Sequence, residues 1–410
     1  VEAPGVIDWQ SDETHLLLNP RLPEEDLRRL ERLAAEAPPL PAHVLLATSG
    51  TTGALKLTAL SKRALLASAA AVNRHLESTV ADVWCCVLPA FHVGGLGIHA
   101  RAFLSGARVV EAGWDPYGFA ALVAAEGVTL SSLVPAQVRD LLQAGLSGPP
   151  SLRAIVIGGG AFSNELYAEA VAAGWPVLPS YGMTECCSQV ATARPGSPDL
   201  IVLDHMEVEE RFLRPPLCLC VSVVNTNELR SVERDHSQEA TLCDARHAGG
   251  QHRGTEAQRG TKESLLAFRG ESLLTGYITE DGFHDPKVDG WLLTEDRGTV
   301  DGRTLRIHGR SGDFLKIGGE SVDLARLDQI LMSIAGLDAA VVAVPDARLG
   351  HVIHLAIASE DGARIAAEYD TRVLPFERAR AVHRVAAIPR TPLGKLMRQK
   401  LLNELPKLVE

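Results

Sequence analysis

Three segments of the chain follow one order: a short apolar run, a loop, then residues of helical period. They are VWCCVLP (83–89), TLSSLVP (129–135) with AQVRDLL behind it, and RAIVIGGG (153–160) with SNELYAEAVAAG behind it. Apolar runs of this length read as buried strands, and their alternation with helical segments is the signature of an α/β fold. Upstream, HVLLA (43–47) reads as a further buried strand. Beyond the hydroxyl-rich loop that follows it, Ser61 can cap a helix whose apolar residues Leu65, Ala69, Val72 and Leu76 keep helical spacing. Ligands of α/β folds bind where loops leave the carboxyl ends of the strands, and the glycine- and hydroxyl-rich segments lie there.

The chain has 410 residues, more than a single core usually organises, so two domains are expected. Its content of 46% hydrophobic and 22% charged residues is that of an ordinary globular protein. A formal net charge of −11 argues against a nucleic-acid partner, because phosphate backbones select basic faces. No apolar run reaches the length of a membrane span, and VEAPGVIDWQ has no basic stretch followed by an apolar one, so secretion is not expected. The seven cysteines form no CxxC pair, which disfavours a zinc site or a disulfide framework and fits a reducing, cytoplasmic compartment.

The loop TSGTTGALK (48–56) has its own chemistry. Gly50 and Gly53 let the backbone approach a ligand, the hydroxyls of Thr48, Ser49, Thr51 and Thr52 can donate to oxyanions, and Lys56 adds a cation. Together they suit a polyphosphate. The spacing is not the Walker G-x-x-x-x-G-K-[ST], which disfavours a P-loop nucleotidase; a plain polar turn is the bland alternative.

Four further motifs decide between these readings: YGMTE (181–185), TED (294–296), GRSGDFLKIGGE (309–320) and PRTPLGKLMR (389–398). With the loop, in this order, they resemble the adenylate-forming superfamily of acyl-CoA synthetases, peptide-synthetase adenylation domains and luciferases, over most of residues 43–198 and 265–410. The resemblance implies that a carboxylate attacks the α-phosphate of ATP and a thiol then displaces AMP. It assigns Thr48, Ser49, Gly50, Thr51, Thr52, Gly53 and Lys56 to the β- and γ-phosphates, and Gly158, Gly159, Gly160 and Ala161 to the adenine and acyl pocket. Tyr181, followed by Gly182 and Met183, would stack on the base, Thr184 would meet the α-phosphate, and Glu185 would help hold Mg2+. Asp296 would take the ribose hydroxyls with Arg310 assisting, and Lys395 would offset the charge gathering at the α-phosphate.

PAFHVGGLGIHA (89–100) puts His92 where the superfamily carries a gate beside the acyl carboxylate. FHVGGL together with YGMTECCSQVAT resembles the o-succinylbenzoate-CoA ligase branch, which acts in menaquinone biosynthesis; the short stretch before the first loop suits that branch. Ser188, Gln189 and Thr192 then become acyl-pocket candidates. The implied partners are a small carboxylic acid, ATP and coenzyme A, with homo-oligomerisation open. A different small aryl or acyl ligase is one alternative; a nucleotide-binding pseudoenzyme is another.

The resemblance also implies an N-terminal domain over 1–310 and a mobile lid over 311–410. The latter is expected as an α+β unit with strands at LKIGG, AAVVAV and VIHLAIA and helices at VDLARLDQILMSI and LMRQKLLNEL. Its hinge position inside GRSGDF is Gly312, which can absorb a rotation. Residues 211–264 do not fit: where the superfamily makes a short hairpin, RFLRPPLCLCVSVV and the low-complexity HAGGQHRGTEAQRGTKE intervene. Cys218, Cys220, Cys243, His236 and His247 there match no standard metal spacing. The segment is expected to weaken the ribose side of the nucleotide site.

Overall fold

The computed structural model describes residues 7–49, 55–212, 264–310, 314–317, 320–346, 348–391, 394 and 396–405. Gly50, Thr51, Thr52, Gly53, Gly312, Lys395 and residues 213–263, with their cysteines and histidines, lie outside them.

The fold is mixed α/β. One sheet of 11 strands runs, edge to edge, through the strands that begin at residues 206, 264, 292, 304, 200, 188, 177, 154, 130, 83 and 108. The last five are parallel, and those beginning at 154, 130 and 83 come from the three strand-loop-helix segments; the rest pair antiparallel. Within the parallel half, neighbouring residues of a strand serve different cores. Cys85, Ile155 and Val177 pack with Phe119, Leu141 and Trp175, while Cys86, Val156 and Leu178 pack with Val72, Ile98 and Ala102. This period of two is what a strand covered by helices on both faces requires. It also explains the adjacent Cys85 and Cys86 as packing residues: burial pushes their thiols up to about 12 and about 11, which leaves them protonated and unreactive.

Ser61 does cap the helix Lys62–Leu76, accepting from the Ala64 amide at 3.1 Å. The segment before it differs from the sequence reading. HVLLA belongs to His43–Ser49, and the hydroxyl-rich loop leads into a second strand, Leu55–Ser61, paired antiparallel with the first. The strands on either side of the loop therefore belong to a separate sheet of 5 strands and not to the main sheet. LKLTALS alternates at period two, with Leu57 and Ala59 on the face covered by Leu30 and Leu33. That alternation is the signal that the capping motif beside it masks.

Beyond Leu315 the chain builds its own cores around the helix Leu324–Ala335 and the strands Ala339–Asp346, Gly350–Ile357 and Ala379–Arg384. Among the described residues no cluster mixes residues up to Ile307 with residues from Leu315 onward. The helix Gly362–Arg372 and strand Ala379–Arg384 were not anticipated. The expected helix over 322–334 begins at Leu324, because Val322 and Asp323 finish the strand Glu320–Asp323 and the Asp323 carboxylate caps the helix. Among the described residues no helix is long and apolar enough to cross a membrane.

The amino ends of three parallel strands are tied by one carboxylate. Arg153 donates to both oxygens of Asp82 at 2.9 Å, Thr129 Oγ1 donates at 2.7 Å and the Thr79 amide at 2.8 Å. The opposite edge is left to loops. These donors bring the Asp82 carboxyl down to about 2 against the opposing effect of burial. A depressed acid stabilises the fold above its unfolded pKa of about 4 and loses that contribution as pH falls through its folded value. Asp82→Asn should therefore cost about 2 kcal/mol at neutral pH, and its thermal midpoint should converge on that of the unmodified protein as pH is lowered from about 5 to 2.

Candidate active site

The strand Val177–Met183 is parallel to Ala154–Ile157 on one side and antiparallel to Ser188–Thr192 on the other. Between Met183 and Ser188 the chain makes a single tight turn, Thr184–Cys186, and returns through Cys187 at φ 53° and Ser188 at φ 101°. Both are left-handed positions that side chains disfavour, the kind of local strain that clusters at functional sites. A register shift falls between Tyr181 and Gly182. A Cβ on Gly182 would lie 1.7 Å from the Ser188 carbonyl oxygen, so only glycine admits this return.

Two carboxylates are held on either side of the turn. Asp296, 7% exposed, stands opposite Arg310 across a strand pair. Its Oδ1 accepts from Arg310 Nε at 3.0 Å and its Oδ2 from the Tyr181 hydroxyl at 2.5 Å. Burial opposes the Arg310 charge, yet the neighbouring Asp296 carboxylate raises the Arg310 pKa; burial and Asp296 push the Tyr181 phenol well above its ordinary range, so it remains a donor. The Tyr181 ring packs on buried Phe268, with centroids 5.8 Å apart.

Glu185 faces the smaller sheet. Its Oε1 accepts from the Tyr277 hydroxyl at 2.9 Å, and its backbone carbonyl accepts from the Leu274 amide at 2.7 Å. The Lys56 ammonium lies 3.2 Å from the Tyr277 ring centroid. Burial lowers the Lys56 pKa and Glu185 partly restores it. Thr48, opposite Lys56 in the hairpin, shares a hydrogen bond with Thr58 at 2.9 Å. Ser49 continues that strand. Wholly buried Cys186 lies within electrostatic reach of both Glu185 and Asp296, its thiol pushed up by burial first.

The remaining candidates fall around these clusters. Gly158 abuts Ser180, whose hydroxyl donates to the Ile157 carbonyl; Gly159, at φ 79°, and Gly160 cover Val134 and Pro135, with Ala161 exposed beyond them. Thr184 forms the turn with its hydroxyl unpartnered among the described residues, while Met183 packs into the core beneath. His92 precedes the helix Val93–Ser105 and rests on Phe91 at 4.7 Å; burial lowers its pKa, and its buried Nε2 has no hydrogen-bond partner among the described residues. Gln189 and Thr192 are buried in the sheet and hydrogen bond to each other at 2.5 Å.

Ser188 leads to a residue the sequence reading passed over. Arg101, 1% exposed, donates to Ser188 Oγ at 3.3 Å and Ser132 Oγ at 3.4 Å, with its guanidinium over the Trp84 ring. Among the described residues no carboxylate pairs with it, and burial lowers its pKa to about 10. Gly97 keeps this space open, since a Cβ there would lie 3.0 Å from Arg101 Nη2. A lone arginine on the otherwise apolar face of GLGIHARAF was the available signal. Tyr277 was passed over too, because its partners come from distant segments.

A family model described as AMP-binding enzyme matches residues 6–243. The 2-succinylbenzoate–CoA ligase of Bacillus cytotoxicus is 29% identical over 88% of this chain and 69% of its own, and that of Enterococcus faecalis is 26% identical over 87% and 68%. Among solved structures, the o-succinylbenzoate CoA synthetase of Bacillus subtilis in complex with the acyl-adenylate intermediate superposes with a TM-score of 0.70 at 23% identity, covering 94% of this chain and 78% of that one. The same enzyme with ATP and magnesium ion gives 0.68 at 24% identity over 88% and 69%. At these identities the structural likeness shows a shared fold.

Gly182→Ala should be the most damaging glycine substitution of the site, lowering stability by about 3 kcal/mol through overpacking. Gly196, at φ 81° with open space around its Cβ position, is the control: Gly196→Ala should cost about 1 kcal/mol, and thermal midpoints of the two variants compare them.

Proposed function

The chain belongs to the AMP-binding enzyme family, and on that premise we propose that it is an AMP-forming acid–thiol ligase acting on o-succinylbenzoate, ATP and coenzyme A, in menaquinone biosynthesis and in the cytoplasm. The names of its relatives support the acid, and Arg101 is the observation that carries it. o-Succinylbenzoate has two carboxylates, of which adenylation consumes one. A buried guanidinium with no acidic partner among the described residues, beside Ser188, suits the other.

In this reading each carboxylate of the site has a distinct duty. Asp296 accepts the ribose hydroxyls, since each of its oxygens keeps a lone pair beyond the bond it already makes, and Tyr181 and Arg310 hold it still. Glu185 would hold a divalent cation: its Oε2 has no partner among the described residues, and carboxylate oxygen is the donor Mg2+ prefers. Bound there, Mg2+ would neutralise charge on the nucleotide phosphates. No group of three or more potential ligands gathers among the described residues, which fits an ion shared with phosphate oxygens.

The hairpin loop with Thr48, Ser49, Gly50, Thr51, Thr52, Gly53 and Lys56 takes the β- and γ-phosphates, and Gly158 to Ala161 border the base and the acyl group. Thr184 offers its hydroxyl, unpartnered among the described residues, to the α-phosphate. His92, kept neutral by burial, presents Nε2 to the acid being activated. Gln189 and Thr192 support Ser188 from inside the sheet. Residues from 311 onward form the lid, hinged at Gly312, that delivers Lys395 for adenylation and withdraws it for the thiol.

Pyrophosphate exchange into ATP tests the acid: o-succinylbenzoate should stimulate it far above acetate, benzoate or palmitate, and a stronger response to any of these three would replace the substrate. Arg101→Met, a neutral replacement of similar length, should raise the KM for o-succinylbenzoate by about 30-fold while leaving the ATP dissociation constant unchanged. Lys395→Ala should slow adenylation by roughly two to three orders of magnitude and leave thioester formation from preformed adenylate near its original rate. Equal loss in both half-reactions would make Lys395 structural.

A further inference from the structure

The proposed reaction needs Lys56 free to meet phosphate and Glu185 free to meet a cation. Placed near each other, these two groups would be expected to close into an ion pair that satisfies both and serves neither purpose. They do not pair directly; Tyr277 contacts both. The strand Gly276–Thr279 runs antiparallel to Leu55–Ser61 with Tyr277 opposite Thr58. Lys56 is two residues further along the same face, the diagonal position from which a long side chain reaches an aromatic ring. Gly276 seats this strand closely: a Cβ there would lie 2.5 Å from the Phe283 ring.

We propose that Tyr277 is a positioning residue which separates Lys56 from Glu185, its ring face docking the ammonium and its hydroxyl fixing one carboxylate oxygen so that the other is presented to the cation. The proposal rests on the reading of Glu185 as the cation-facing carboxylate and adds the device that keeps it available. Docking on a π face is weaker than a buried ion pair, so the lysine can leave when phosphate arrives. The hydroxyl restricts the carboxylate to one orientation, as the outer-shell partners of metal ligands do.

Two variants separate the two contacts. Tyr277→Phe keeps the ring and removes the hydroxyl, whereas Tyr277→Leu removes both. The gain in ATP affinity on adding Mg2+, measured by calorimetry, should shrink about tenfold in Tyr277→Phe, with metal-free ATP affinity unchanged. In the protein without nucleotide, acetylation of Lys56 followed by mass spectrometry should rise about fivefold in Tyr277→Leu and stay unchanged in Tyr277→Phe. Lys62, whose ammonium is held by the carbonyls of Asp8 and Ser11, reports general loosening and should keep its rate in both variants. A Mg2+ gain retained in Tyr277→Phe overturns the role of the hydroxyl. Unchanged Lys56 labelling in Tyr277→Leu, or Lys62 rising in step with it, overturns the dock. If the unmodified chain binds no ATP, the wider functional reading falls, and the labelling still decides the dock.

Discussion

One backbone approach governs the site. Where the main sheet changes from parallel to antiparallel pairing, the strand that ends at Met183 must be followed at once by one returning beside it, and Gly182 has to lie against the Ser188 carbonyl. The turn is made within Thr184–Cys186 and closed through two left-handed residues, Cys187 and Ser188. Such strain persists only where its surroundings over-determine it. Here Val190 and Ala191 are wholly buried directly behind the turn, and Cys186 and Cys187 are sealed into the same core. The side chains on either side of the return are consequently fixed in direction, with Tyr181 toward Asp296, Glu185 toward Tyr277 and Ser188 toward Arg101.

The two carboxylates are built on one plan with one difference. Each takes a hydrogen bond from a tyrosine whose phenol is held protonated, and each has a cation close by. Asp296 is paired directly with Arg310, a permanent guanidinium suited to a fixed ion pair. Glu185 is separated from Lys56 by the Tyr277 ring. A group that hydrogen bonds neutral hydroxyls can remain salt-bridged throughout, because its remaining lone pairs serve the ligand. A group that meets a metal ion cannot share its charge in the same way. In the proposed reading, that is the difference between a carboxylate that would meet a sugar and one that would meet a cation.

What could be read from the sequence divides along the range of the interactions concerned. Ser61 as a cap, the strands around Ile155 and Cys85, and the core helix of the C-terminal unit are set by neighbours within a few positions, and these were legible. The motifs around Tyr181, Glu185, Asp296 and Arg310 were legible as ordered signatures, although no local rule joins Tyr181 to Asp296. Tyr277 was not legible and Arg101 showed only as a lone arginine on an apolar face, because their partners Glu185 and Ser188 lie 92 and 87 positions away. The strand Leu55–Ser61 was lost for another reason. Its alternation is short, it borders a strong helix-capping signal, and only its pairing with Gly276–Thr279 shows that it belongs to a second sheet.

The atypical segment had been expected to begin at Arg211, end at Ser264 and disturb the ribose side of the site. Pairing of the flanking strands narrows those bounds: Arg211 stands opposite Leu265 and Phe212 opposite Ser264, so the ladder is complete up to both ends of residues 213–263. The strand Ser264–Gly270 then pairs with Leu292–Asp301, with Leu265 beside Arg297, the neighbour of Asp296. On its other side Leu292–Asp301 is registered against Thr304–Arg310, which brings Arg310 to Asp296. The position of that carboxylate is therefore specified by three paired strands and by the Tyr181 hydroxyl, all among the described residues. Lengthening a connection between two paired strands adds closure entropy only logarithmically. The sheet can accordingly carry so long a connection at the hairpin while Asp296 keeps its partners.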